Sequence, residues 1–203
     1  EYNLIESGAT VRGYAISFGY SAAGQLHTGN IVRFNQIRRF NDNGIRITGT
    51  VPGLEVYNND IYFAALQTSS ISLTGIHFGS TSSNTGAGVK IYNNRIADLL
   101  TSTAAVTIRG FYQFSAAFTG TPVMFYNNFI ALGKDLTSNP TIYGIDVNTS
   151  ATGTPTQIYY NSVYISGTAS AGTNNSMAFR RSVADLLLDV RDNSFYNTRT
   201  NTA

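Results

Sequence analysis

The chain has 203 residues, 42% of them hydrophobic and only 12% charged, with a formal net charge of +2 and no cysteine. So low a charge, with no run of Lys or Arg tracing a phosphate path, gives no argument for nucleic acid as a partner. Disulfides and cysteine-ligated zinc are excluded, and no apolar run approaches the roughly 18 residues of a membrane-crossing helix.

In chain order, no charged segment followed by an apolar run opens the sequence, so no signal peptide is read here. Instead Tyr2-Asn3-Leu4-Ile5 already overlays Phe34-Asn35-Gln36-Ile37. Val11 to Phe18 follows, then an outward loop over Ser21 to Asn30. The first complete motif is Ile31 to Ile37 (IVRFNQI). It returns as EVYNNDI from Glu55, VKIYNNRI from Val89, MFYNNFI from Met124, QIYYNSV from Gln157 and DVRDNSF from Asp189. The anchoring residues are Asn3, Asn35, Asn59, Asn94, Asn128, Asn161 and Asn193, at steps of 32, 24, 35, 34, 33 and 32 residues. A period in this range marks a repeat protein.

Within each copy from the second onward, the residues three before and two after the Asn are apolar, as with Ile91 and Ile96 around Asn94. Between them Arg33, Tyr57, Tyr92, Tyr126, Tyr159 and Arg191 take the position that strand alternation turns outward. The period is therefore that of a strand. Stacked coil on coil, the Asn amides are expected to hydrogen-bond along a ladder, since a buried amide without partners costs roughly 1 to 3 kcal/mol. A second apolar column lies half a coil away, in Ala15-Ile16-Ser17, Gly44-Ile45-Arg46, Gly75-Ile76-His77, Thr107-Ile108-Arg109, Gly144-Ile145-Asp146 and Ala178-Phe179-Arg180. Each coil thus holds at least two short strands, stacking on the next at about 4.8 Å.

With its Asn ladder and short apolar strands, the chain resembles the right-handed parallel β-helix proteins of the pectate-lyase-like superfamily. The expected fold is all-β, a right-handed solenoid of about six coils, with residues 1–203 forming one segment. The handedness comes from the resemblance and from the crossover preference of parallel strands. The endings Ile158 to Ile165 and Asn193 to Thr198 resemble repeats of large secreted surface proteins of Bacteroidetes-type bacteria. That resemblance implies an extracellular or cell-surface setting. Because the first residues belong to a repeat and the last are polar, with no capping helix, the segment is expected to be cut from a longer chain or joined to neighbours.

The Ser, Thr, Gly and Ala-rich excursions Gly79 to Gly88, Ser115 to Pro122, Gly133 to Pro140, Asn148 to Thr156 and Ser166 to Ser176 read as exposed loops. Phe111, Tyr112 and Phe114 read as an aromatic cover on the solenoid, with contact to a ligand as the alternative. Asn148-Thr-Ser and Asn174-Asn-Ser match the glycosylation sequon, which a bacterial setting leaves idle.

Two outward columns are candidate sites. Tyr57, Tyr92, Tyr126 and Tyr159, with Arg33 and Arg191 at the ends, could stack on sugar rings or a neighbouring chain, or simply shield the sheet. The second column, Ser17, Arg46, His77, Arg109, Asp146 and Arg180, invites an acidic polysaccharide. A polyuronate lyase there would use His77 or an arginine as base and Arg46 and Arg109 as carboxylate clamps. The competing reading is a ladder of exposed ion pairs around Asp146, worth about 0 to 1 kcal/mol each.

Glycosidase chemistry needs two facing carboxylates, and the eleven acidic residues are mostly isolated, with Asp185, Asp189 and Asp192 grouped along one strand region. The paired aspartates, GHG and RIK elements of pectate lyases and polygalacturonases are missing. No metal set or cofactor motif is visible. The expectation is a non-enzymatic structural or adhesive segment that joins end to end with its own kind. The alternative is a polysaccharide-binding or lyase-like solenoid.

Overall fold

The computed structural model describes residues 3–6, 13–19, 28–49, 51–63, 66–79, 88–114, 121–148, 156–182 and 187–202. They form a parallel β-solenoid with three walls, visited in the same order on each turn. The first wall holds Ile16–Phe18, Asn43–Ile47, Leu73–Phe78, Thr107–Phe114, Thr141–Asn148 and Ser176–Arg181. The second, the tyrosine wall, holds Ile31–Arg33, Glu55–Tyr57, Lys90–Tyr92, Val123–Tyr126, Thr156–Tyr159 and Leu188–Arg191. The third, the ladder wall, holds Asn3–Glu6, Asn35–Arg38, Asp60–Tyr62, Arg95–Ala97, Phe129–Leu132, Ser162–Ile165 and Ser194–Asn197. Two walls therefore have six strands and one has seven, which makes about five turns, not six. Seven asparagines overcount because they mark the one wall with an extra strand.

The repeated asparagine forms the corner between the second and third walls. Asn94 shows the pattern: its Nδ2 donates to Asn128 Oδ1 at 3.0 Å, to Tyr92 O at 3.0 Å and to Val56 O at 3.0 Å. Its own Oδ1 accepts from Asn59 Nδ2 at 2.9 Å and from the Asn59 main-chain N–H at 3.1 Å. The row runs from Asn3 through Asn35, Asn59, Asn94, Asn128 and Asn161 to Asn193 without a break. Asn59, Asn94 and Asn128 are each 2% exposed, so these amides depend on one another, not on water.

The corner also explains why the motif so often reads Asn-Asn. The residue before each ladder Asn from Asn35 onward is left-handed, with φ of 56° at Phe34, 53° at Asn58, 54° at Asn93, 53° at Asn127, 54° at Tyr160 and 54° at Asp192. Asn tolerates that region better than other side-chain-bearing residues. The first Asn of each pair thus makes the bend, and the second fills the ladder.

Between the walls the apolar columns meet in one core. Ile37, Ile61, Ile96 and Ile130 from the ladder wall are all fully buried, as are Val56, Ile91, Phe125 and Ile158 from the tyrosine wall. The first wall is bent. Gly44, Gly75, Gly110 and Gly144 lie at the bend, where a Cβ on Gly110 would come within 2.6 Å of both Gly144 O and Ile130 Cγ2. No side chain fits there, so the ladder wall's isoleucines pack directly on the first wall's backbone.

The bend changes one register. Ile108 pairs with Leu73 and Ile142, and it is Phe111 that pairs with Ile76 and Ile145. The outward row is therefore Ser17, Arg46, His77, Tyr112, Asp146 and Arg180, and Arg109 sits in a different row with Thr74 and Tyr143. Phe111 is not part of an outer cover: it is fully buried and stacks on Phe125 at 4.1 Å.

Of the expected loops, Gly133 to Pro140 is no bare excursion, because Leu136 and Asn139 within it are buried. Ser166 to Ser176 contains the short strand Thr168–Ala169, paired with Thr200–Asn201. Most of the other four expected loops, 21–27, 80–87, 115–120 and 149–155, lie outside the described residues, as do Tyr2 and Asp185.

Tyr160 holds the left-handed position with a bulky ring that is 60% exposed. Tyr160→Asn is expected to stabilise the fold by about 0.5 to 1 kcal/mol, because it relieves that backbone strain and removes little packing. A higher urea midpoint with an unchanged slope meets the expectation. A lower midpoint contradicts it.

Candidate functional site

The ladder register brings like residues together on the tyrosine wall. Tyr57 and Tyr92 stack with centroids 4.8 Å apart and planes 10° from parallel, and Tyr92 and Tyr126 follow at 4.9 Å and 6°. Tyr159 continues the register. Arg33 Nη1 donates to the Tyr57 hydroxyl at 2.8 Å, and Arg191 Nη2 donates to that of Tyr159 at 2.9 Å while lying over its ring. The Tyr92 hydroxyl donates to Glu55, which also pairs with Lys90 at 3.1 Å. Desolvation and then the Glu55 carboxylate push the Tyr92 phenol up to about 12. A sugar stacks on an open ring face, but both faces of Tyr92 are already covered by Tyr57 and Tyr126. The stripe turns ring edges outward, with the hydroxyls of Tyr57, Tyr92 and Tyr159 bonded, a geometry that stabilises neighbouring turns by roughly 0.5 to 1.5 kcal/mol per ring pair.

The bent wall carries the other candidate residues. Asp146 was expected in an exposed charge ladder, yet its carboxylate is 0% accessible. Arg109 Nε donates to its Oδ2 at 2.8 Å and Arg180 Nε to its Oδ1 at 2.8 Å. Arg109 lies over the Tyr112 ring at 4.3 Å and Arg180 over Tyr143 at 4.1 Å, so the guanidiniums and rings together seal the carboxylate. A pair of this kind belongs with buried ion pairs, whose loss of one partner costs about 3 to 5 kcal/mol. Arg109 is therefore held in place and is poorly suited to clamp a moving substrate.

His77 and Arg46 differ from that triad. They are register partners on adjacent strands. The His77 ring is tilted against Tyr112 at 5.1 Å and meets Phe114 edge-on at 6.5 Å, and its Nε2 is buried with no partner. Burial, then the charges of Arg46 and Arg109, lower its pKa from 6.5 to about 4. The imidazole is neutral at pH 7 and offers an acceptor. Arg46 rests over Tyr14 at 4.4 Å, and no hydrogen bond or ion pair to its guanidinium is found among the described residues.

The structure thus joins Arg46 to His77, ties Arg109 to Asp146 and places Tyr57, Tyr92, Tyr126 and Tyr159 on another wall. Tyr112, which packs against both His77 and Arg109, was missed as a member of the outward row. Its signal was present: Gly110-Phe111-Tyr112 repeats the small, apolar, polar order of Gly44-Ile45-Arg46 and Gly75-Ile76-His77. Among the described residues no group of three or more His, Asp or Glu side chains is placed to hold a metal ion. No described helix is long and apolar enough to cross a membrane.

His77 is expected to titrate near pH 4 in the folded protein. Since the unfolded chain takes up that proton first, its contribution to stability is complete above about pH 6.5, falls as pH drops toward 4 and then levels off. NMR titration of the imidazole checks this, with a midpoint near 6.5 as the contradicting result.

Comparison with known proteins finds no matching family model, no matching curated protein and no matching solved structure. The assignment to the parallel β-solenoids stands on the strand pairing and the Asn ladder alone.

Proposed function

We propose that the chain is a non-enzymatic structural or adhesive segment of an extracellular β-solenoid, of the right-handed, pectate-lyase-like kind that its repeats resemble. One observation carries the reading: the surface rows engage their own groups along the solenoid axis. Tyrosine stacks on tyrosine, Asp146 is gripped from both neighbouring strands, and each ladder amide is used by the next turn. Such rows resist shear between turns, which suits a scaffold. The cell-surface setting is supported by the low charge and by the resemblance of the final repeats to secreted surface proteins. The amide-to-amide bonds of the ladder all run in one sense, from lower to higher residue number. A further unit could extend the row only head to tail.

A second reading, an acidic polysaccharide held on the bent wall, is favoured by the guanidinium of Arg46, which has no hydrogen bond or ion pair among the described residues and lies one strand from the neutral His77.

Incubation with polyuronates is expected to yield no unsaturated product by ultraviolet absorbance, and antibody to the segment is expected to label intact source cells. Accumulating product overturns the non-enzymatic reading, and labelling only after lysis overturns the extracellular one. Loss of retention on an anionic glycan column in Arg46→Ala supports the second reading, and unchanged retention rejects it.

A further inference from the structure

We infer that the backbone carbonyls of Gly133, Leu136, Ser138 and Ser166 form a guanidinium-binding site, filled by Arg199 of the same chain, which latches three successive turns together. Arg199 Nη1 donates to Gly133 O at 3.0 Å and to Ser166 O at 3.3 Å. Its Nη2 donates to Ser138 O at 2.7 Å and to Leu136 O at 3.4 Å. Four N–H groups thus meet four carbonyls, one of them on the turn below Arg199 and three on the turn below that. The site lies past the ladder wall, apart from both candidate columns, and its assignment holds under either reading of the surface.

Two glycines make the space. A Cβ on Gly133 would come within 2.5 Å of Ser166 O and 3.1 Å of Arg199 Nη1, and one on Gly167 would collide with Gly133 O and lie 2.9 Å from Lys134 O. Both residues are also left-handed, with φ of 88° and 91°, so a side chain at either is excluded twice over. Gly133 O accepts from the Leu136 N–H at 3.1 Å, closing the tight turn from which Leu136 O and Ser138 O reach the same nitrogen. Thr200 pairs with Thr168, which sets Arg199 beside Gly167. The missing side chain there lets the guanidinium pass to the turn beneath.

The site recognises donors held in a plane, not charge alone. Burial lowers the Arg199 pKa and no carboxylate raises it, so peptide carbonyls hold the cation without a counter-charge. A lysine ammonium has three donors on one nitrogen and cannot serve four acceptors laid out for a fork. Nε of Arg199 is buried with no partner. Every bond is therefore made by the two terminal nitrogens, and free guanidinium, which has both, can keep every contact.

Native-state hydrogen exchange of the Thr198, Thr200 and Thr202 amides, which donate to Ile165, Gly167 and Ala169 O, reads the latch. Arg199→Ala is expected to speed their exchange roughly tenfold, while the amides of Arg95 and Phe129, bonded to Asn59 and Asn94 O, stay as they were. Guanidinium chloride at ~50 mM, far below denaturing concentrations, is expected to restore protection saturably. Potassium, or hexamethylguanidinium, which brings the charge without N–H donors, is expected to leave exchange fast, and Arg199→Lys to exchange as the alanine variant does. Unchanged exchange in Arg199→Ala, no restoration by guanidinium, equal restoration by either control cation, or full protection in Arg199→Lys overturns the inference. The wild type decides even if a variant fails to fold: the Nη protons of Arg199 are expected as separate, slowly exchanging resonances, and one averaged signal overturns the site.

Discussion

A primary amide can lie in a protein interior only if its oxygen and both its N–H groups are engaged. In this solenoid the next turn of the same chain provides those partners, at the same corner, turn after turn. A slip of one residue would take the amide out of its row and turn a hydrophobic column outward. The ladder therefore sets more than one corner. It fixes which residues face each other on all three walls, and the loops absorb coil lengths that range from 24 to 35 residues.

That register decides the chemistry of the surface. When every turn repeats the same outward position, equal residues meet, and what they do depends on whether they attract. Tyrosines stack, whereas arginines repel unless something intervenes. In the tyrosine row the cations stand at the two ends, at Arg33 and Arg191, where each finds a phenol, and Lys90 in the neighbouring row is paired with Glu55. On the bent wall a single carboxylate, Asp146, reconciles Arg109 with Arg180 by being shared. Arg46 and His77, register partners on that wall, stand outside both arrangements.

Much of this was legible in the chain itself because a solenoid converts sequence period directly into spatial neighbours. The recurring Asn, the apolar residues at fixed offsets and the outward tyrosines needed only alternation to be placed. The bent wall was harder. Thr107-Ile108-Arg109 fits the expected pattern as well as Gly110-Phe111-Tyr112 does, and both belong to one strand, Thr107–Phe114. What separates them is contact with Ile130, which has no room for a side chain at Gly110. Alternation cannot express that constraint. Nor could it show that Asp146 would be sealed, since its covering groups come from three strands and two sides of a bend. Leu136 was hidden by its polar surroundings, one apolar residue in a stretch otherwise typical of loops.

The most direct measurement is hydrogen exchange of the side-chain amides of Asn59, Asn94, Asn128 and Asn161. If the ladder holds the turns in register, these four exchange slowly, on the timescale of the most protected backbone strands, and are released together with them in denaturant. Free-solution exchange rates at these positions, in a protein whose backbone strands remain protected, would show that the turns are held by something else.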